Sequence, residues 1–365
     1  MKSDPAARAG AVLEIDLGGI AANWRLLART AAPAHCAAVV KANAYGLGMV
    51  PVARALAAAG CRVFFVATLD EGIALRQALG EAPEVAVLNG PFSGTAADFV
   101  ARGLVAVLNH PGQIEEWRVR GGGRPAILHV DTGMARLGLT ARELAAFLEN
   151  RPPIAWRAAI SHLACADAPE HPLNERQRAR FAAVAAQLRG LPASLAASSG
   201  IFLGPAYHFD LVRPGAAMYG VNPLPGRPNP LRQVVHLAGK IVQIREIDRG
   251  QSVGYDAAHV MQAPGRIATV AVGYADGWLR SLSRRGCGYL GGERVSLLGR
   301  VSMDLVTFDV SAVDPVLARP GAAIELLGSH YGVDDAAADG GTIAYEILTA
   351  LGARYHRVYR DSPAE

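Results

Sequence analysis

Between residues 37 and 212 the chain repeats one pattern eight times, a short continuous apolar run followed by a polar, helix-compatible stretch. The runs fall at 37–40, 63–67, 85–88, 105–108, 127–130, 158–161, 195–197 and 211–212. Continuous apolar runs suit strands buried on both faces, as in a parallel sheet, and eight is the count that closes such a sheet into a (β/α)8 TIM barrel. The segments 50–59, 70–79, 141–149 and 174–188 between them have helix-forming composition and are bounded by Gly or Pro. The seventh and eighth runs lie close together, which predicts only a turn or two of helix there.

After Gly220 comes Val221-Asn222-Pro223-Leu224-Pro225-Gly226-Arg227-Pro228-Asn229-Pro230. Such a segment propagates neither a helix nor a central strand and reads as a domain linker. Beyond it the pattern becomes strand-like, at 234–247, 267–272, 295–298, 305–310 and 323–327, with one clear helix at 343–351. The expected α/β organisation is therefore a barrel over 1–225 and a mostly-β domain over 231–365. The strand-like run 12–17 precedes the barrel count and is free to pair with the second domain.

Composition excludes several classes of function. The net charge is +4, yet the arginines are spread along the chain instead of forming a stripe, which argues against nucleic acid. The densest cluster, Arg176-Gln177-Arg178-Ala179-Arg180, reads as a solvated helix face. Apolar runs are too short to cross a bilayer, and the start Met1-Lys2-Ser3-Asp4-Pro5 lacks the apolar core of a signal peptide. Cys36, Cys61, Cys165 and Cys287 are scattered without a C-x-x-C pair, so a zinc site is not expected and reduced thiols in a cytoplasmic protein are.

Lysine is scarce, with three against thirty-three arginines. Arginine does most surface work of lysine but cannot act as an amine nucleophile, so a retained lysine points to chemistry. Lys41 ends the first strand run, and Tyr45, Gly46 and Gly48 predict a tight turn before a helix near Met49. In barrel enzymes the working residues lie at the carboxyl ends of strands. Asp131 to Arg136 follow the fifth run, Ser161 and His162 end the sixth, Ser198-Ser199-Gly200 follow the seventh and Arg213-Pro214-Gly215 the eighth. The last two turns occupy the recurrent phosphate position of such barrels, where small residues let backbone N–H groups approach an anion. An amine and a phosphate cradle at one mouth is the arrangement that holds pyridoxal 5'-phosphate.

At this point the sequence resembles the bacterial alanine racemases nearly end to end. The resemblance rests on Val40-Lys41-Ala42-Asn43-Ala44-Tyr45-Gly46-Leu47-Gly48, Asp131-Thr132-Gly133-Met134-Ala135-Arg136-Leu137-Gly138 and Arg213-Pro214-Gly215-Ala216-Ala217-Met218-Tyr219-Gly220. Gly273-Tyr274-Ala275-Asp276-Gly277-Trp278 and Gly299-Arg300-Val301-Ser302-Met303-Asp304 complete it, in the family's order. It implies a homodimer whose active sites are closed by the partner subunit, acting on alanine and supplying D-alanine for peptidoglycan. Lys41 then resembles the Schiff-base lysine and Tyr274 the second base. Tyr45, Ser198, Gly215, Ala216 and Tyr355 resemble the phosphate contacts. Arg213 resembles the residue facing the pyridine nitrogen, His162 its neighbour, and Arg136 and Met303 the groups beside the substrate. One position departs from many relatives, which carry a carbamylated lysine two residues before the Asp-Thr-Gly; here it is His129. Arg136 must then be oriented by another group, such as a carboxylate or an anion, with His129 itself serving to pack.

Inverting an amino acid needs a base on each face of a planar intermediate, and Lys41 and Tyr274 fit those roles. Lysine and tyrosine normally titrate near pH 10, so both need lowered pKa values and alkaline-leaning activity is expected. An arginine at 213 cannot accept a proton from the pyridine nitrogen, which disfavours transamination. The alternatives are a racemase of broader specificity, a decarboxylase of the same architecture, and a non-catalytic pyridoxal phosphate carrier. Arg213 and the Tyr274 block oppose the decarboxylase, and the presence of 231–365 opposes the carrier.

Overall fold

The computed structural model describes residues 4–361. They form two compact units, one over Ile20–Arg232 and the other from the described residues before Ile20 and from Gln233 onward. The first strand, β1 (Ala11–Asp16), lies in the second of these units.

Within Ile20–Arg232 the strands are β2 (His35–Cys36), β3 (Ala38–Val39), β4 (Val63–Val66), β5 (Glu84–Val87), β6 (Val105–Leu108), β7 (Ala126–His129), β8 (Trp156–Ile160), β9 (Ala193–Ser194) and β10 (Leu211–Val212). β2 and β3 are one run interrupted at Ala37, so the count is eight. From β3 to β9 each strand pairs in parallel with its successor. The Asp210 and Arg213 amides donate to Ala193 O and Ala196 O, and the Ala37 and Val39 amides donate to Val212 O and Pro214 O. These bonds join β9 to β10 and β10 to the first run, closing the barrel. Phe64, Phe65, Leu108 and Leu128 are fully buried, as a sheet covered on both faces requires.

Helices Met49–Ala58, Leu69–Leu79, Ala96–Ala101, Pro111–Arg120, Ala141–Glu149 and Pro172–Gln187 separate the strands. Thr68 with Glu71, and Thr140 with Glu143, form capping boxes that fix where two of them begin. Between β9 and β10 stand only the 3-10 turns Ser199–Leu203 and Pro205–Tyr207. The seventh strand lies two residues ahead of the apolar run at 195–197. After Ser194 the chain bends toward the mouth, and by Ala197 its carbonyl already accepts from Ile201 N–H in the following turn.

In the other unit the strands are β11 (Val235–Ile247), β12 (Ser252–Val253), β13 (His259–Val260), β14 (Gly265–Val270), β15 (Cys287–Leu290), β16 (Glu293–Leu298), β17 (Val306–Asp309), β18 (Ala323–Leu327) and β19 (His356–Arg360). The order β14-β17-β16-β15-β18-β11, with β11 pairing back onto β14, closes a second, largely antiparallel barrel. β11 is long enough to serve two neighbours on one edge, β1 along Val235–Gly239 and β14 from Ile241, with a register shift between Ile241 and Gln243 where the strand bends. β1 pairs antiparallel to β11 and parallel to β19 and buries every second residue, Ala11, Leu13 and Ile15. After the linker, two α-helices are present among the described residues where the sequence predicts one: besides Ala344–Ala350, Val333–Gly340 starts on an Asp335 capping contact to Gly332 N–H and ends at Gly341 in the left-handed region. Among the described residues no helix is long and apolar enough to cross a membrane.

Candidate active site

Lys41 opens a turn of unusual conformation. Ala42, Asn43, Ala44 and Tyr45 have φ between 50° and 55°, four successive non-glycine residues in the left-handed region. Each such residue costs on the order of 1–2 kcal/mol, somewhat less for Asn. The turn persists because its polar groups are saturated: Ala44 N–H donates to Val40 O, Gly46 N–H to Ala42 O and Gly48 N–H to Asn43 O. The Asn43 side chain accepts from Met49 N–H at 2.8 Å, which ties the turn to the next helix. At its start, Ala42 N–H donates to Glu71 Oε1 at 2.6 Å. Burial, then the Arg136 guanidinium, lowers the pKa of Lys41 below the ordinary lysine value, with Glu71 opposing.

The same turn buries Tyr45 against Tyr219, ring centroids 4.9 Å apart. The Tyr45 hydroxyl lies so close to Gly215 that a Cβ there would meet it at 2.3 Å. Ser198 Oγ accepts from Gly215 N–H and Ala217 N–H, both at 3.1 Å, so the hydroxyl, the glycine and the start of the 3-10 turn Ala216–Tyr219 converge. A Ser Oγ that accepts two amides still has its own proton to donate. Tyr45, Ser198, Gly215 and Ala216 thus line one recess with hydroxyl and backbone donors.

Arg213 is buried beneath this recess. Its Nη2 donates to Ser161 O at 2.6 Å and its Nη1 to Ser194 Oγ, and its guanidinium carbon sits 6.0 Å from the centroid of the Phe65 ring. Burial pulls its pKa down to about 10, which leaves it cationic at neutral pH. His162 and His129 are held neutral, at about 3 and about 4, by burial first and Arg213 second. His129 Nδ1 lies 2.7 Å from Asn109 Oδ1. Asn109 Nδ2 donates to Leu88 O and Val107 O, so Oδ1 must accept and His129 carries its proton on Nδ1. Arg136 is exposed and follows a loop shaped by Asp131, whose carboxylate takes the amides of Gly133, Met134 and Ala135 at 2.8–3.0 Å. A carboxylate therefore does set the arginine loop, but through the backbone.

In the β unit, Tyr274 and Met303 are neighbours. Tyr274 N–H donates to Ser302 O and Ala275 N–H to Met303 O, both at 2.9 Å. A Cβ on Gly273 would lie 2.3 Å from Met303 O, so only glycine permits this approach. Arg354, which the sequence reading passed over, pairs with Asp276 at 3.0 Å and Asp304 at 2.8 Å and fastens the two segments together. Tyr274 and Met303 remain 43% and 54% exposed, large for such side chains in a folded unit. Tyr355 by contrast is buried in this unit, its pKa raised by burial and Asp276, and among the described residues its hydroxyl meets no hydrogen-bond partner. Sequence reasoning also passed over Glu71, Asn109 and Ser194. The Thr68-x-x-Glu71 spacing was a usable signal for the first.

Known proteins share this architecture. Residues 15–223 match the alanine racemase N-terminal domain and residues 234–359 the alanine racemase C-terminal domain. The chain is 54% identical over 360 residues to an alanine racemase of Rhodospirillum rubrum, covering 96% of each. It is 50% identical over 360 residues to a catabolic alanine racemase of Mesorhizobium japonicum, covering 97% of this chain and 94% of that one. Among solved structures, alanine racemase from Bartonella henselae with covalently bound pyridoxal phosphate superposes with a TM-score of 0.93 at 41% identity, covering 96% of this chain and all of that one. The chain belongs to the alanine racemase family of pyridoxal phosphate-dependent isomerases.

Proposed function

We propose that this enzyme interconverts L- and D-alanine with Lys41 and Tyr274 as the two bases, and that Tyr274 and Met303 are lent by a second copy of the chain in a homodimer. The observation that carries the reading is the pairing at one barrel mouth of a lysine of lowered pKa with the Tyr45–Ser198–Gly215 recess. That recess fits the phosphate of pyridoxal 5'-phosphate, because only a glycine at 215 leaves room beside the Tyr45 hydroxyl, and Ser198, whose oxygen already accepts two amides, keeps its own proton to donate. Bound there, the cofactor supplies the electron sink that acidifies the Cα–H bond.

The chain's own residues divide the remaining work. Lys41 would hold the cofactor in the resting enzyme and, as a free amine when substrate is bound, would move a proton at Cα on one face. Tyr274 does the same on the other. Arg136, exposed on its Asp131-shaped loop, receives the substrate carboxylate, with Met303 beside it. Arg213, held by Ser161 and Ser194 and close to neutral His162, would stand as the partner of the pyridine nitrogen and would offer it no carboxylate. Tyr355 is buried in the β unit with its hydroxyl unmet, and its part as a phosphate donor rests on the family resemblance. The exposure of Tyr274 and Met303 supports the dimer, since large side chains at a working site are otherwise covered. We place the enzyme in the cytoplasm, supplying D-alanine for peptidoglycan. Visible spectra of the purified protein before and after borohydride, followed by peptide mapping, should put the cofactor on Lys41, and L-alanine should lose optical rotation. A label on another residue, or no inversion of alanine, would overturn the reading.

A further inference from the structure

The structure assigns to Glu71 a role beyond helix capping: it is a positioning residue that clamps the left-handed turn carrying Lys41. This rests on the reading of Lys41 given above and names what holds that lysine in place. The Glu71 carboxylate serves two elements at once. Oε2 accepts from Ala67 N–H at 2.8 Å and Thr68 N–H at 3.2 Å, at the end of β4 and the start of helix Leu69–Leu79. Oε1 reaches out of the helix and accepts from Ala42 N–H at 2.6 Å. A capping box needs only the first of these oxygens. The second grips the amide immediately after Lys41, at the first of four residues held at positive φ. Hydrogen bonds to an ionised carboxylate are the short, strong kind, suited to hold backbone that would otherwise relax.

The charge also acts on the lysine. Burial and Arg136 lower the proton affinity of Lys41, and Glu71 raises it. His162 feels Lys41 as well, but as a neutral imidazole it adds no opposing charge. Glu71 therefore holds the backbone next to the lysine and opposes part of the fall in its pKa that burial and Arg136 produce.

Glu71→Gln is the informative change. The amide keeps the shape but offers one acceptor oxygen where the carboxylate offers two, and its NH2 would face a backbone N–H. Thr68→Ala is the control, since it removes the other half of the capping box, the Glu71 N–H to Thr68 Oγ1 bond at 3.3 Å, and leaves the Ala42 contact alone. In the full-length chain, Glu71→Gln is expected to speed amide exchange at Ala42 and Ala44 about tenfold and to weaken pyridoxal phosphate binding by a similar factor. The pH midpoint for cofactor uptake, which follows the free amine, should move down. Glu71→Asp, which keeps the charge, should restore that midpoint in part, and Thr68→Ala should leave all three readouts within twofold of wild type. The inference fails if exchange and cofactor affinity in Glu71→Gln stay within twofold of wild type, or if Thr68→Ala reproduces its changes. Exchange at Ala42 is read without cofactor, so it tests the clamp separately from whether Lys41 carries the cofactor.

Discussion

Substituting Gly215 by alanine tests the phosphate recess with a single methyl group. The new Cβ would lie 2.3 Å from the Tyr45 hydroxyl, 2.9 Å from its Cζ and 3.3 Å from its Cε2. Ordinary non-bonded contact begins near 3.5 Å, so relief requires the phenol to move by about 1 Å. It has little room, because its ring is buried against Tyr219, which is itself fully buried and anchored to Val39 O at 3.0 Å. Overpacking of this kind costs about 1–3 kcal/mol. If the displaced hydroxyl is a phosphate donor, a loss of that size weakens cofactor binding by roughly one to two powers of ten. Thermal or urea unfolding with and without pyridoxal phosphate separates the two effects. At a cofactor concentration a hundred times the wild-type dissociation constant, binding stabilises the wild type by about 2.7 kcal/mol, and a hundredfold weaker variant retains only about 0.4 kcal/mol. Tyr45→Phe removes the closest contact and should not add to the effect of Gly215→Ala. A variant that is less stable without cofactor yet gains the full wild-type increment on binding would refute the recess as the phosphate site.

Three further outcomes are expected. Tyr274→Phe should slow deuterium exchange at Cα of L-alanine by about 10²–10⁴-fold while sparing much of the exchange from D-alanine, and equal losses from both would remove the tyrosine from its assigned face. His129 and His162 are held neutral in the fold, at about 4 and about 3 against an ordinary 6.5, so the unfolded chain takes up their protons first as pH falls. Stability should then be fully present above pH 6.5 and decline below it by up to about 1.4 kcal/mol per pH unit for each group; urea midpoints that stay flat from pH 7 to pH 5 would contradict this. Arg354→Ala unfastens the Tyr274 turn from the Met303 loop and should lower kcat while leaving cofactor affinity intact, a split visible in steady-state kinetics against a cofactor titration.

The elements that could be read in advance are those whose pattern survives without tertiary help. Helix Ala141–Glu149 and strand β18 fall where helix-forming composition and a continuous apolar run place them, because both are bounded by their own stop signals. β15 was not legible: Gly288 breaks its pattern, and it is there because a side chain would strike Ile324 at 2.5 Å. β19 was hidden because its side chains stay partly or fully exposed, so Arg357 and Arg360 mask the run. Helix Val333–Gly340 is short, acidic at its start and glycine-terminated, which reads locally as a loop. At the barrel mouth the residue types were visible but the backbone was not. Alanine and tyrosine ordinarily avoid the left-handed region, so nothing in Ala42, Ala44 or Tyr45 announces that conformation, and only Asn43 and the two following glycines hint at it. The residues that hold the turn and the arginine loop, Glu71 and Asp131, act on backbone amides, and such contacts leave no pairing signal between side chains.

That use of the acids governs the electrostatics of the mouth. Asp131 and Glu71 each spend their carboxylate on three backbone N–H groups. Among the described residues neither Arg136 nor Arg213 has an ion-pair partner. The two imidazoles are neutral, so protonated Lys41, Arg136 and Arg213 face only the carboxylates of Glu71 and Asp131, and the fixed charge at the mouth is positive on balance. Such a field draws in anions, and both molecules this family works on, a phosphorylated cofactor and an amino acid, arrive with negative groups. The field from Arg136 also lowers the proton affinity of Lys41, keeping more of its amine free to react. If, as proposed, a substrate carboxylate comes to rest against Arg136, it would cancel part of that field, and the amine would become more basic at the moment a proton must be taken from Cα. An acid paired directly with Arg136 would have neutralised it permanently and removed the change, which is a physical reason for Asp131 to hold the loop and leave the guanidinium alone.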